Sequence, residues 1–147
     1  MVLAILAGHH ALYKVGKRLE ERGMVTLLRE GELHVEAVEG FEDRARSIRI
    51  KLGEGITGKV VESGKPIVVP RVSKEPTFLN LAPRRLDHQK QELTFICVPI
   101  MLNRQAVGAL CVTVKFIADR NYDRSVKFFG VVTSIISQAV LVRQVPT

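Results

Sequence analysis

The sequence predicts an α+β domain, an antiparallel sheet with helices packed on it, and three observations carry that expectation. Apolar segments come in pairs joined by short turns: Met24 to Leu28 with Leu33 to Val38, and Leu93 to Leu102 with Ala106 to Lys115. Turns this short join antiparallel strands, because parallel neighbours need a long crossover. Segments of helical period bracket the chain at both ends. Between them lies Leu52-Gly53-Glu54-Gly55-Ile56-Thr57-Gly58-Lys59-Val60-Val61, where a strand stops, turns tightly and a short helix starts. Glycine suits such a place because it has no Cβ and takes φ > 0 or a close backbone approach freely.

Taken in order, Leu3 to Arg22 reads as a helix, with Ile5, Leu12, Val15 and Leu19 at helical spacing and Gly23 ending it. Met24 to Leu28 is a strand, Arg29-Glu30-Gly31-Glu32 a turn, and Leu33 to Val38 a half-buried strand. In the latter, Leu33, Val35 and Ala37 alternate with His34, Glu36 and Val38. Gly40 to Ser47 is charged and irregular or briefly helical. Ile48, Ile50 and Leu52 alternate with Arg49 and Lys51 in another short strand. The short helix runs from Thr57 to Glu62, with Gly64 as its C-cap residue. Pro66-Ile67-Val68-Val69-Pro70 is a strand bracketed by prolines, which places it at a sheet edge or strand end. Arg71 to Gln91 has no sustained period, and a loop of that length in a compact domain is usually functional or mobile. After the second hairpin, Asn121 and Asp123 are N-cap candidates for a closing helix to Gln144. On that helix Phe129, Val132, Ile136 and Val140 line one face, and Phe128, Val131, Ile135 and Val142 widen it. Two terminal helices this apolar exceed what a small sheet needs as cover, so they are expected to pair across a two-fold axis in a homodimer; the competing reading is a monomer in which both only cover the sheet.

The 147 residues amount to one domain, residues 1–147, with enough chain to bury a sizeable core. An apolar share of 46% with 25% charged residues is that of an ordinary globular protein. No continuous apolar run approaches the roughly 18 residues of a membrane span. The start, Met1 to Gly8, lacks a basic n-region, so a secretory signal is not expected and the cytoplasm is the expected location. Cys97 and Cys111 sit in apolar strands with nothing electropositive beside them in sequence. They read as buried thiols in a reducing compartment, with a disulfide or redox pair as the competing reading. The net charge of +7 is scattered, without a basic block interleaved with aromatics, so an anionic small ligand or acidic partner is favoured over nucleic acid.

A ligand site needs walls, a floor, a lid and convergent polar groups. The helix beginning at Thr57 supplies a wall whose free N–H groups favour an anion. Strand Phe95 to Pro99 supplies a floor. The stretch Val72 to Leu93 supplies a lid carrying Phe78, Leu79, Asn80, Arg84 and Arg85. An arginine fork binds a carboxylate through two parallel hydrogen bonds, so a dicarboxylate such as 2-oxoglutarate, or a nucleotide, suits that lid. The candidate ligand-binding residues are therefore Thr57, Val69, Phe78, Leu79, Asn80, Arg84, Arg85, Phe95 and Cys97. Solvated arginines and plain core apolar residues are the alternative.

No catalytic residues, metal ligands or cofactors are expected. His9 and His10 have no partner at metal-ligand spacing. His34 alternates with Glu32 and Glu36 on a solvent face. Asp87-His88 is an adjacent pair, and an orienting acid normally comes from elsewhere in a fold. There is no Gly-x-Ser-x-Gly and no phosphate loop.

Several of these segments together resemble a GAF domain, the small-molecule sensor module of signalling proteins. They are Gly23-Met24-Val25-Thr26-Leu27-Leu28, the glycine turn continuing through Pro66-Ile67-Val68-Val69-Pro70, and Ile136-Ser137-Gln138-Ala139-Val140. Glu75-Pro76-Thr77-Phe78-Leu79-Asn80 and Phe95-Ile96-Cys97-Val98-Pro99-Ile100 narrow the likeness to the N-terminal GAF domain of NifA-type, sigma-54-dependent activators of nitrogen-fixation genes. The resemblance covers about Gly23 to Gln144. It implies a six-stranded antiparallel sheet between helices and a parallel dimer through the terminal helices, residues 1–22 and 122–144. It also implies a parent protein with a central AAA+ ATPase and a C-terminal helix-turn-helix, neither present here, so this domain would neither hydrolyse ATP nor touch DNA; membrane contact is not expected either. Within that family the domain restrains or licenses the ATPase, and some members bind 2-oxoglutarate or answer to PII-type proteins or a NifL-like anti-activator. Two other readings compete: a methionine sulfoxide reductase-like enzyme, which needs reactive thiolates at a pocket lip, and a purely structural dimerisation module.

Overall fold

In a computed structural model, residues 22–40, 43–75 and 92–144 can be described. Six strands form one antiparallel sheet: β1 (Arg22–Arg29), β2 (Glu32–Glu39), β3 (Arg49–Lys51), β4 (Ile67–Val69), β5 (Leu93–Leu102) and β6 (Gln105–Lys115). Their order across the sheet is β3-β2-β1-β6-β5-β4. Both expected hairpins are present, and their turn residues Glu30, Gly31, Asn103 and Arg104 all have positive φ, the twist that suits a two-residue hairpin loop. Among the described residues two α-helices cover the sheet, α1 (Gly55–Ser63) and α2 (Tyr122–Gln144).

The sheet separates two apolar layers. On one face Val132, Ile136 and Val140 of α2 pack against Val25, Leu27, Ile96, Val98, Ile100, Leu110 and Val112. On the other, Val60 and Val61 of α1 pack with Leu33, Val69, Phe95, Cys97, Ala109 and Cys111. The Ser137 hydroxyl donates to the Met101 carbonyl at 2.6 Å, fixing α2 against β5. Asn121 caps α2 as expected, its side-chain oxygen accepting the Arg124 N–H at 3.0 Å.

Gly58 shows why α1 can sit so close to the strand before it. A Cβ there would lie 2.5 Å from the Lys51 carbonyl oxygen, in a turn closed by the Gly53 N–H donating to the Gly58 carbonyl at 3.0 Å. At the far end Gly64 takes φ 71° and its N–H returns to Val60, the left-handed cap expected of it.

Several boundaries differ from the sequence reading. Arg22 and Gly23 belong to β1, paired with Thr113 and Val112 of β6, so Gly23 continues a strand instead of ending a helix. The rest of the expected N-terminal helix lies outside the described residues. β3 keeps only Arg49–Lys51, and Ile48 and Leu52 are exposed, because an edge strand pairs on one side alone. β2 does not bury a single face. Between Val25 and Thr26 the register with β2 slips, leaving Glu36 as an extra residue, so Leu33 enters the α1 layer and Ala37 the α2 layer. By length and composition Tyr122–Val142 is long and apolar enough to cross a bilayer, which the count of continuous apolar residues overlooked, yet one face of this helix forms the core described above.

Candidate functional site

The prolines around β4 and the register of β5 together build a recess at one end of the sheet. β4 is an edge strand, paired through Ile67 with Cys97, Val68 with Ile96 and Val69 with Phe95. The Thr94 hydroxyl holds the Pro70 carbonyl at 2.8 Å where the chain leaves the sheet. A 3-10 helix, Val72–Lys74, follows at once. Between α1 and this corner lies a recess of about 420 Å³ lined by Ile56, Ile67, Val68, Val69, Pro70, Arg71, Lys74 and Glu75. That volume is in the small-ligand range, and an apolar floor with a few charged rim groups is the usual make-up of such a site. The Arg71 guanidinium carbon stands 4.6 Å from the centre of the Phe116 ring, which anchors this side chain beside the recess.

Ser73 and Glu92 join the chain on either side of residues 76–91. The Ser73 N–H donates to Glu92 at 3.2 Å, the Ser73 hydroxyl donates to the other carboxylate oxygen, and the Leu93 N–H adds a bond at 3.3 Å. Burial opposes ionisation of Glu92, but these hydrogen bonds and the nearby Arg71 charge outweigh it and hold the carboxyl below its usual range.

Of the expected site residues, Val69 lines the recess, and Phe95 is its strand partner. Phe95 and Cys97 are buried in the layer beneath α1 and are not among the residues lining this recess. Thr57 lies on α1, which begins two residues earlier than expected, at Gly55. Its hydroxyl faces a sulfur: Thr57 Oγ1 is 3.2 Å from Cys111 Sγ, which in turn is 3.1 Å from Cys97 Sγ. Burial pushes the Cys97 thiol well up, whereas the hydrogen bond from Cys97 lowers Cys111 against the effect of its own burial, with Thr57 assisting. Phe78, Leu79, Asn80, Arg84 and Arg85 lie outside the described residues. Apart from Val69, none of the lining residues was among the expected site residues, including Ile56 and the charged Arg71, Lys74 and Glu75, and Cys111 was not foreseen as the neighbour of Thr57. The prolines flanking β4 marked the corner, but nothing in the pattern announced the recess. Among the described residues, no group of three or more His, Cys, Asp or Glu side chains is placed to hold a metal ion.

Comparison with known proteins agrees with this architecture. The GAF domain profile matches residues 8–140. Nitrogen fixation protein VnfA of Azotobacter vinelandii is 37% identical over 130 residues, which is 81% of this chain and 24% of that protein. The Nif-specific regulatory protein of Azospirillum lipoferum is 35% identical over 125 residues, 81% of this chain and 20% of that protein. The chain thus spans about a quarter or less of the curated relatives it matches. Among solved structures, the GAF domain of A. aeolicus nlh2 in an inactive state superposes with a TM-score of 0.81 at 19% identity, covering 98% of this chain and 86% of that one. The free methionine-R-sulfoxide reductase of Neisseria meningitidis gives 0.71 at 21% identity, covering 94% and 77%. These two likenesses, both under 25% identical, speak for the fold alone, a six-stranded sheet between helices. The family profile and the sequence relatives say more, and by them this chain belongs to the GAF domain family, with nitrogen-fixation regulators as its relatives.

Proposed function

We propose that this domain is the regulatory sensor of a NifA-like, sigma-54-dependent transcriptional activator, controlling a neighbouring AAA+ ATPase. The observation that carries this reading is the identity of 35 to 37% with nitrogen-fixation regulators of which the chain covers only a fifth to a quarter. A small anion, 2-oxoglutarate or a nucleotide, is the expected effector, with the recess at β4 as its candidate site and Arg84 and Arg85 as its candidate ligands by sequence. A PII-type or NifL-like protein is the alternative input. Either acts by population shift: it binds one arrangement of the domain and its ATPase better than the other, and moves the balance by that difference. DNA contact, membrane contact and catalysis are assigned to none of its surfaces, and the cytoplasm is its proposed location. Against the reductase-like alternative stands the placement of both cysteines, which are buried mid-strand and not at a lip.

Dimerisation is part of the same proposal. Phe128, Val131, Ile135 and Val142 are all more than half exposed, from 51% to 62%. Phe128, Ile135 and Val142 are seven residues apart, with Val131 and Gln138 three further on from the first two, the spacing of a coiled-coil seam. A second copy of this helix is the partner that fits.

Calorimetric titration of 2-oxoglutarate, with cyclic nucleotides as controls, tests the sensing reading on the wild type and on Arg84→Ala/Arg85→Ala. Saturable heat that disappears in the double variant supports it. No heat from any of these ligands turns the weight to partner binding or to a purely structural dimerisation module.

A further inference from the structure

Cys97 and Cys111 face each other across β5 and β6 in the register of the sheet. The Phe116 N–H donates to the Glu92 carbonyl at 2.9 Å, so Glu92 and Phe116 are a hydrogen-bonded pair of this ladder. Such pairs alternate with non-hydrogen-bonded ones, and five steps along, Cys97 and Cys111 are of the second kind. There the facing Cα atoms are about 4.5 Å apart, within the roughly 4.4–6.8 Å that a disulfide spans. The two sulfurs are 3.1 Å apart and both are buried.

The shared face depends on one irregularity. Near the turn Leu102 pairs with Gln105 and Met101 with Ala106, but Ile100 pairs with Gly108, which leaves Val107 as an extra residue. Without that bulge Cys97 would sit opposite Leu110, and Cys111 would point to the other side of the sheet. The bulge thus aims the second thiol at the first.

We propose that Cys97 and Cys111 form a reversible dithiol–disulfide pair, a modification site whose closure takes from Thr57 of α1 the sulfur it hydrogen-bonds. The oxidant class is a hydroperoxide. Cys111, placed between the Cys97 thiol and the Thr57 hydroxyl, loses its proton and its sulfur attacks the peroxide. A sulfur–oxygen bond forms, the oxygen–oxygen bond breaks, and the leaving oxygen takes up the proton. The Cys97 sulfur then attacks the sulfenic sulfur, the disulfide forms, and the second oxygen leaves as water with the Cys97 proton. With hydrogen peroxide, two thiols are oxidised by two electrons and two waters are released. Because the pair is buried, the peroxide enters through local opening of the first turn of α1. A thiol reductant reverses the step, as a redox-responsive pair in a reducing compartment requires. The site needs no effector in the recess, so it stands whether or not the sensing proposal does.

The test is intact mass, peptide mapping and hydrogen exchange on the wild-type chain before and after hydrogen peroxide, with Cys97→Ala and Cys111→Ala for comparison. The expected product is two hydrogen masses lighter, maps as a Cys97–Cys111 cross-link, returns to the starting mass with dithiothreitol and is absent from both variants. The amides of Ile56 to Gly58 are expected to exchange faster in it. Two alkylatable thiols after peroxide treatment and unfolding would overturn the proposal, as would sulfinic acids or cross-linked dimers in place of the intrachain bond. An intrachain bond with unchanged exchange in α1 would overturn the link to Thr57. The wild-type masses decide the first question even if a variant fails to fold.

Discussion

Ser73 and Glu92 are bound to each other through both the backbone N–H and the hydroxyl of the serine, although they stand nineteen positions apart in sequence. This contact joins the chain at either side of residues 76–91, beside the recess at β4.

The Glu92 carboxyl is held below its usual value in the folded chain, burial being outweighed by its hydrogen bonds and by Arg71. A lowered folded pKa contributes stability that is present above the unfolded value of about 4.3 and is lost as pH falls through the folded one. Thermal midpoints are therefore expected to drop as pH falls below about 4.3. Glu92→Gln is expected to flatten that part of the profile while changing little of it near neutrality beyond a uniform loss. A wild-type profile identical in shape to that of Glu92→Gln would contradict the assignment.

Neighbouring isoleucines on α2 separate its two roles. Ile136 is fully buried and Ile135 is 51% exposed. Ile136→Ala is expected to destabilise the domain by about 2–5 kcal/mol in denaturant unfolding. Ile135→Glu is expected to leave the fold intact and convert a dimer to a monomer in sedimentation equilibrium. A wild type that stays monomeric throughout the concentration range would sink the seam reading.

Three glycines are expected to respond to alanine in different ways. A Cβ on Gly58 would lie 2.5 Å from the Lys51 carbonyl oxygen, and one on Gly108 would lie 2.0 Å from that of Thr26. Both contacts are with backbone, which cannot swing aside, so each substitution should destabilise by about 1–3 kcal/mol or more. A Cβ on Gly130 of α2 meets nothing within 4 Å, so Gly130→Ala should stabilise by about 0.5–1 kcal/mol through helix propensity alone. Urea midpoints of the three variants check the ranking.

Much of this fold was legible because its signals are local. Paired apolar runs around Glu30-Gly31 and Asn103-Arg104 located both hairpins, Gly64 the end of α1, and Asn121 the start of α2. What escaped was non-local. Gly23 looked like a helix stop, yet pairing with Val112 keeps it in β1. The bulges at Glu36 and Val107 reverse which face later residues occupy, and a pattern of alternation carries no mark of them. For the same reason the sequence favoured two buried thiols, with a pair only as the competing reading, whereas the sheet sets Cys97 and Cys111 side by side. Five of the nine expected ligand-site residues came from the stretch Arg71 to Gln91 and lie outside the described residues. The recess at β4 was only partly anticipated, through Val69, because its charged rim comes from a 3-10 turn with no periodic signature.

Hydrogen exchange of the domain with and without saturating 2-oxoglutarate addresses the sensing proposal most directly. Slower exchange in Gly55 to Val61 and Ile67 to Lys74, with α2 unchanged, is the expected result. Exchange that is the same in both states throughout the chain, or protection confined to α2, would contradict a sensor built around the recess at β4.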